Sequence, residues 1–296
     1  NMKLTNKHNI PREIVRSIEN DSYDMGEADI SVTGLLKPPR ISLLSKINEE
    51  KLEADVSDRI WILLGQATHT ILERANENYD DTDIERRMFI DIEGWRVSGQ
   101  ADSFSLANNT LRDYKVTSAW SVVFASSKSD WEAQLNMYRY MYYKNFGKLA
   151  DKLEIIAILR DWDKRKAQKG DGYPPCQVAV VNIPVWDIDD AEKFIRDKVK
   201  LHRDAWADYM TQNVIPLCTS EDMWKKEDKY AVMKKNRKTA LRVLPTEEEA
   251  REYVSNLEGK LEIVKREGDC SRCVGNYCGV ADFCDQYKKL SMEERI

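Results

Sequence analysis

The chain has 296 residues, with 46 basic and 51 acidic side chains and a formal net charge of −5. It is long enough to bury one large core or two smaller ones, and its mild acidity does not by itself argue for a polyanionic partner. No run approaches the 18 apolar residues of a membrane span, no apolar leader opens the chain, and six cysteines are too few for a disulfide scaffold, so a soluble protein of the reducing cytoplasm is expected.

Residues 2–50 read as an irregular N-terminal wrap with short helices, broken at Pro38 and Pro39. From Val56 to about Asn76 the apolar residues Ile60, Leu63, Leu64, Ala67, Ile71 and Leu72 recur at helical spacing. A strand pattern follows over Arg86–Ile92, then the turn Glu93-Gly94, a second strand Trp95–Asp102, the turn Asn108-Asn109 and a third strand Thr110–Val116, which together predict a meander. Ser129-x-x-Glu132 has the form of a capping box for a helix reaching about Asn145, with Gly147 as its stop. Leu153–Arg160 and Gln177–Ile183 read as strands on either side of a basic loop that carries Lys164, Arg165, Lys166 and Lys169. Asp187 or Asp189 is expected to cap a long amphipathic helix ending near Tyr209.

Residues 219–260 differ in character. Lys229–Lys234 and Thr239–Val243 predict a hairpin around a basic turn, and Thr246-x-x-Glu249 a capping box for a helix to about Leu257. Between Lys225 and Arg242 eight basic residues face only Glu227 and Asp228. Residues 268–290 hold four of the six cysteines. The expected organisation is an α/β core over 51–215, a basic ββα appendage over 219–260 and a cysteine-rich tail over 268–290 packing back on the core.

Four pairs of residues carry the candidate chemistry. Side chains two apart on a strand share a face, so Asp113 and Lys115 point the same way. Taken alone, the pair reads more simply as an exposed ion pair. If the second and third strands pair, Asp102 comes beside Asp113, and two such carboxylates stay ionised together only with a cation between them; hard oxygen ligands suit Mg²⁺ or Mn²⁺. Gly65 and His69 lie one turn apart on the first helix, where a glycine would be explained by close approach of another backbone and the histidine could be structural or a ligand. Gln134 and Tyr138 share a face of the capped helix.

In this order, Gly65/His69, Gly99/Asp102, Asp113/Lys115 and Gln134/Tyr138 resemble the RecB-type branch of the PD-(D/E)xK nucleases. The segments Ile30–Arg40, Trp61–Ala67 and Tyr230–Lys235 look like phage and prophage members of that family. The resemblance implies a restriction-endonuclease-like core, an α/β fold with a mixed sheet flanked by helices. It implies a divalent metal held by His69, Asp102, Asp113 and the Tyr114 carbonyl. Lys115 would act on the attacking water and the transition state, with Gln134 and Tyr138 orienting Lys115 and the scissile strand. Asp113 stands where relatives often have Glu. The implied activity is metal-dependent DNA hydrolysis, as an exonuclease in phage-type recombination or DNA processing with a recombination or helicase partner. The rivals are a site-specific endonuclease and a non-catalytic DNA-binding or scaffold protein that keeps the fold.

Cys270-x2-Cys273-x4-Cys278-x5-Cys284 is a tight thiol cluster suited to zinc or an iron–sulfur centre. Family members resembling this layout hold a [4Fe–4S] cluster with three C-terminal cysteines and one upstream. That implies Cys273, Cys278 and Cys284 with either Cys270 or Cys218, in a structural role. The basic turn with Lys234, Lys235, Arg237 and Lys238 is expected to touch DNA phosphates, adding salt-sensitive affinity with little sequence specificity.

Overall fold

The computed structural model describes residues 3–20, 26–124, 128–234, 237, 239–257 and 259–293. The chain divides into two compact units, 1–43 with 49–215, and 44–48 with 216–296.

In chain order the first part contains β1 (Lys3–Thr5), α1 (Arg12–Glu19), β2 (Ile30–Ser31), α2 (Val32–Leu35), α3 (Pro39–Ile47), β3 (Glu53–Asp55) and α4 (Ile60–Asn76). The long strands β4 (Thr82–Ile92), β5 (Trp95–Ser105) and β6 (Thr110–Thr117) follow, then α5 (Ala119–Val123), α6 (Lys128–Phe146), β7 (Lys152–Leu159), α7 (Lys164–Lys169), β8 (Val178–Ile183) and α8 (Ile188–Gln212).

One six-stranded mixed sheet organises this unit. The β4–β5 hairpin closes at Glu93 and Gly94, both in the left-handed region at φ 51° and 77°, which matches the twist of a tight two-residue turn. β5 is then the hub. One edge pairs antiparallel with β4 along its length; the other pairs parallel with β2 at Val97 and Ser98 and antiparallel with β6 only from Ser103 to Ser105. β6 continues beside β7 in a parallel pair from Thr110 to Thr117, and antiparallel β8 closes the sheet. The short β2 strand lies outside anything the residue pattern predicts.

The core comes from alternating strand residues such as Met88, Val97, Leu111, Leu153 and Ile155, packed with Leu135, Met137 and Met141 of α6 and Ile195 and Val199 of α8. Tyr140 and Tyr142 are buried with them, Tyr142 stacking on Phe104, whereas Tyr143 stays exposed. Buried polar side chains pin α6 in place. Asn136 bonds the Pro184 carbonyl and the Trp186 N–H, and Arg139 donates to the carbonyls of Ala150 and Trp186. α6 stops where expected, with Gly147 at φ 69° and its N–H on the Tyr143 carbonyl.

Local corrections have physical causes. Ser129 lies inside α6, which starts at Lys128, so it is not the cap; residues 125–127 lie outside the described residues. The basic segment 164–169 is a short helix, capped by the Asp163 carboxylate on the Lys166 N–H. Asp187 holds the N-cap position of α8 without a side-chain capping bond.

The second unit contains β9 (Lys229–Lys234), β10 (Arg242–Leu244), α9 (Glu247–Ser255), β11 (Leu261–Arg266), α10 (Ser271–Val274) and α11 (Asp285–Glu293). Its sheet has the order β10-β9-β11, all antiparallel. The expected ββα piece therefore has a third strand. β11 is short and heavily charged, so its apolar residues Leu261, Ile263 and Val264 give little strand signal. Thr246 caps α9 through the Glu249 N–H, as its spacing predicts. The cysteine tail packs inside this unit, with Cys270 bridging to Lys225 and the Arg272 N–H on the Met223 carbonyl.

Candidate metal centre and active site

The site begins with a split in the sheet. β5 and β6 form only three residue pairs, and Asp102 and Asp113 are the next residues beyond the last of them, Ser103 with Arg112. In place of a further ladder bond, the Tyr114 N–H donates to the Asp102 carboxylate. Both aspartates are buried, at 5% and 2% exposure, which is costly for carboxylates unless positive charge answers them.

Three elements bring that charge and fix it. Lys115 reaches back along β6 so that its Nζ lies 2.6 Å from Asp113 Oδ2. His69 of α4, a helix packed on β6, places Nδ1 3.1 Å from Asp102 Oδ1. Gln134 of α6 donates from Nε2 to Asp113 Oδ1 at 3.3 Å and to the Tyr138 hydroxyl at 3.0 Å, so the helix face orients the acid. The Tyr114 ring packs edge-on to His69, with centroids 6.0 Å apart, and its hydroxyl donates to Ser103.

One further acid joins the cluster that the motif reading does not contain. Glu85 of β4 has Oε1 3.6 Å from His69 Nδ1, and its other oxygen accepts from Gln100 Nε2 at 2.5 Å. The β4–β5 ladder pairs Ile84 with Ser103 and Arg86 with Ala101 but skips Glu85 and Asp102, and Glu85 has φ 47°. The strand is distorted where the two acids face each other.

The glycines of the motifs behave differently. A Cβ on Gly99 would meet Met141 Sδ at 2.9 Å and Tyr138 at 3.2 Å, so this glycine makes room for the α6 side chains beside the site. A Cβ on Gly65 would meet nothing within 4 Å, so close backbone approach does not explain that glycine.

Charge balance governs protonation. Asp102 and Glu85 push the His69 pKa up to about 10, against its own burial. Burial first, then repulsion from Asp113, lifts Asp102 to about 6. Burial works against the charge on Lys115, but Asp113 outweighs it and the pKa ends raised. The site thus sets the carboxylates of Glu85, Asp102 and Asp113 against the imidazole of His69 and the ammonium of Lys115. Ligand atoms of His69, Glu85 and Asp102 all lie within 4.8 Å of one another, and among the described residues they form the only such group of three. Carboxylate oxygens with one imidazole suit a hard divalent ion such as Mg²⁺ or Mn²⁺.

The cysteines lie in the second unit, apart from Cys176. Cys270, Cys278 and Cys284 are buried. Burial and the proximity of Cys278, Cys270 and Cys284 push the Cys273 thiol up to about 11, so these four form one electrostatic cluster. The peptide of Cys218 is clamped from both sides by the Gln286 amide. In the basic turn, Lys234 and Arg237 are exposed and joined by an Arg237 N–H bond to the Lys234 carbonyl; Lys235 and Lys238 lie outside the described residues.

No family model matches the chain, and neither does any curated protein. Among solved structures, the protein SSO0001 aligns with a TM-score of 0.44 at 17% identity, over 64% of this chain and 84% of its own. A protein of Eubacterium rectale, provisionally described as an exonuclease, aligns with a TM-score of 0.40 at 11% identity, over 72% of this chain and 97% of its own. At these values neither likeness carries a functional argument. Among the described residues no helix is long and apolar enough to cross a membrane.

Proposed function

We propose that the chain is a metal-dependent DNA nuclease of the RecB-type PD-(D/E)xK kind, acting as an exonuclease on DNA ends in recombination or DNA processing in the cytoplasm. The observation that supports it is the split between β5 and β6, which gathers His69, Asp102, Asp113 and Lys115 with Gln134 and Tyr138 behind them. Asp102, Asp113, Glu85 and His69 would hold Mg²⁺ or Mn²⁺, with the Tyr114 carbonyl as the implied further ligand. When bound, the ion supplies charge neutralisation at the phosphate and a more acidic water. Lys115, held at Asp113, orients the attacking water and keeps a positive charge where the pentavalent phosphate develops negative charge. Gln134 fixes Asp113 and thereby Lys115, and Tyr138 steadies the Gln134 amide.

The C-terminal cysteines Cys270, Cys273, Cys278 and Cys284 would hold a structural [4Fe–4S] cluster. Cys270, Cys278 and Cys284 act electrostatically on Cys273, a four-thiol grouping that suits such a centre and would also take Zn²⁺. The exposed Lys234 and Arg237 would add phosphate contacts without reading bases.

The test is hydrolysis of linear and covalently closed circular DNA with Mg²⁺, Mn²⁺ or EDTA. Metal-dependent loss of linear DNA alone, abolished in Lys115→Ala, is the expected result. Cutting of the circles would make it an endonuclease. Inert behaviour of the folded, metal-replete protein would leave a DNA-binding scaffold instead.

A further inference from the structure

Beyond the acid cluster, β6 and β7 run on in parallel to Thr117 and Leu159, and the Arg160 N–H bonds the Thr117 carbonyl. From this end of the sheet the chain presents an unusual surface. Trp120 of α5 and Phe124 stack at 5.5 Å with planes 19° apart, and Tyr173 meets Trp120 edge-on at 5.6 Å. Trp61 of α4 is tied to the same end of the sheet, because the Arg160 guanidinium, just past β7, sits over its ring at 4.6 Å. Lys166 of α7 places its ammonium 5.4 Å from the Trp120 ring.

These rings are large and apolar, yet Trp61, Trp120 and Phe124 remain 55%, 43% and 58% exposed. Burying such side chains is favourable, so leaving several of them open together is a cost that folding alone does not explain. The cations over them are exposed as well, and among the described residues neither Arg160 nor Lys166 pairs with a carboxylate. Lys164, Arg165 and Lys169 are exposed on the same short helix.

Half-exposed aromatic rings interleaved with exposed cations match one chemistry well: unstacked bases on a phosphate backbone. A duplex keeps its base faces covered by stacking and cannot offer them to a tryptophan. The position fits the neighbouring chemistry too. Trp120 follows Lys115 by five residues along β6 and α5, and Trp61 precedes His69 by two helical turns, about 12 Å.

We propose that Trp61, Trp120 and Phe124, with Arg160 and Lys166, form a stacking platform that holds an unpaired DNA strand next to the acid cluster. The proposal rests on the nuclease reading for its substrate class and narrows it to single strands or frayed ends. Stacking is indifferent to base identity, so the platform confers no sequence preference.

The test uses the full chain in EDTA, with fluorescence anisotropy of a labelled oligothymidylate and of a blunt duplex of equal length. Single strand should bind at least about tenfold more tightly than duplex and quench tryptophan emission. Trp120→Ala and Trp61→Ala should each weaken it by about tenfold, and Trp120→Phe should recover most of the loss. With Mn²⁺, all variants should hydrolyse thymidine 5′-p-nitrophenyl phosphate at the wild-type rate, since so small a diester needs no platform. Should Trp120→Ala melt early, Trp61→Ala and Lys166→Ala decide. Unchanged binding in those variants, or duplex binding as tight as single strand, overturns the platform whatever the diester does. Tight, Trp120-dependent binding by a protein that leaves the diester intact overturns the nuclease reading and leaves the platform standing.

Discussion

Glu85 shows how one residue can be set by a neighbour rather than by its own propensity. A left-handed backbone costs a side chain with a Cβ about 1–2 kcal/mol, and Glu85 holds φ 47° in the middle of a strand. The distortion turns its carboxylate toward His69 and Asp102 instead of leaving it in the regular alternation. If the strain serves cation binding, function and stability should separate at this position. Glu85→Gln should raise the Mn²⁺ concentration for half-maximal cleavage by about tenfold, in the range seen when supporting groups of metal sites are removed. Glu85→Gly should raise it similarly while melting no earlier than wild type, because glycine accepts this φ freely. Metal titration of the cleavage rate, set beside thermal melting, checks both. Unchanged metal dependence in the two variants would reduce Glu85 to an ion-pair partner of His69.

Among the helices, α8 makes a pH prediction of definite sign. Its buried stripe of Ala191, Ile195, Val199, His202 and Ala205 sets an imidazole in the core, with Nε2 3.3 Å from the Leu35 carbonyl. Burial lowers the His202 pKa, Lys198 adds to that, and the carbonyls of Leu35 and Lys37 oppose it. The folded state therefore binds fewer protons there than the unfolded chain, whose histidines titrate near 6.5. The contribution is full above that value and is lost as pH falls toward the lowered folded pKa. Asp102, lifted to about 6, acts in the opposite sense over part of the same range, so the difference between proteins is the cleaner observable. Urea midpoints of His202→Gln should fall less between pH 7 and 5 than those of wild type; equal slopes would refute the assignment. The elements themselves were legible to different depths. Period-2 patterning places β4 to β7 to within a few residues because those strands bury one face; helical spacing places α4 as well, although none of its residues is buried and Leu64 and Ile71 of the apolar stripe are exposed. The same patterning starts β4 at Arg86, four residues late, and so loses Glu85. A register count recovers it: a two-residue turn at Glu93 and Gly94 sets Ile92 opposite Trp95, and pairing back along the hairpin brings Glu85 opposite Asp102. β2 and β11 could not be read this way, one being two residues long and the other half charged. Ser129 misled because a capping box is a local signal, and the chain enters α6 a residue earlier than that signal proposes.

At the scale of the whole molecule, the two units are built on different economies of burial. The first has a continuous apolar core between sheet and helices. The second buries few large apolar side chains; Leu44, Met223, Val232 and Val280 are supplemented by Ala231 and Ala250, and by the thiols of Cys270, Cys278 and Cys284. So thin a core gives little stability of its own, and small units of this kind commonly depend on a metal or other cross-link. A centre bound only by the folded arrangement adds its binding free energy to folding. Loss of the cysteine-bound centre should therefore act on one unit and not the other. In hydrogen exchange read by mass spectrometry, Cys278→Ser should lose protection over β9, β11 and the tail, while β5 and β7 exchange as in wild type. Anaerobic preparations should carry iron and the broad visible absorption of a cluster, and zinc in their place would change the ion without changing the argument. If the C-terminal peptides keep full protection when Cys278 is replaced, the four thiols are ordinary core residues, and the stability of that unit must come from β9–β11 and α9 alone.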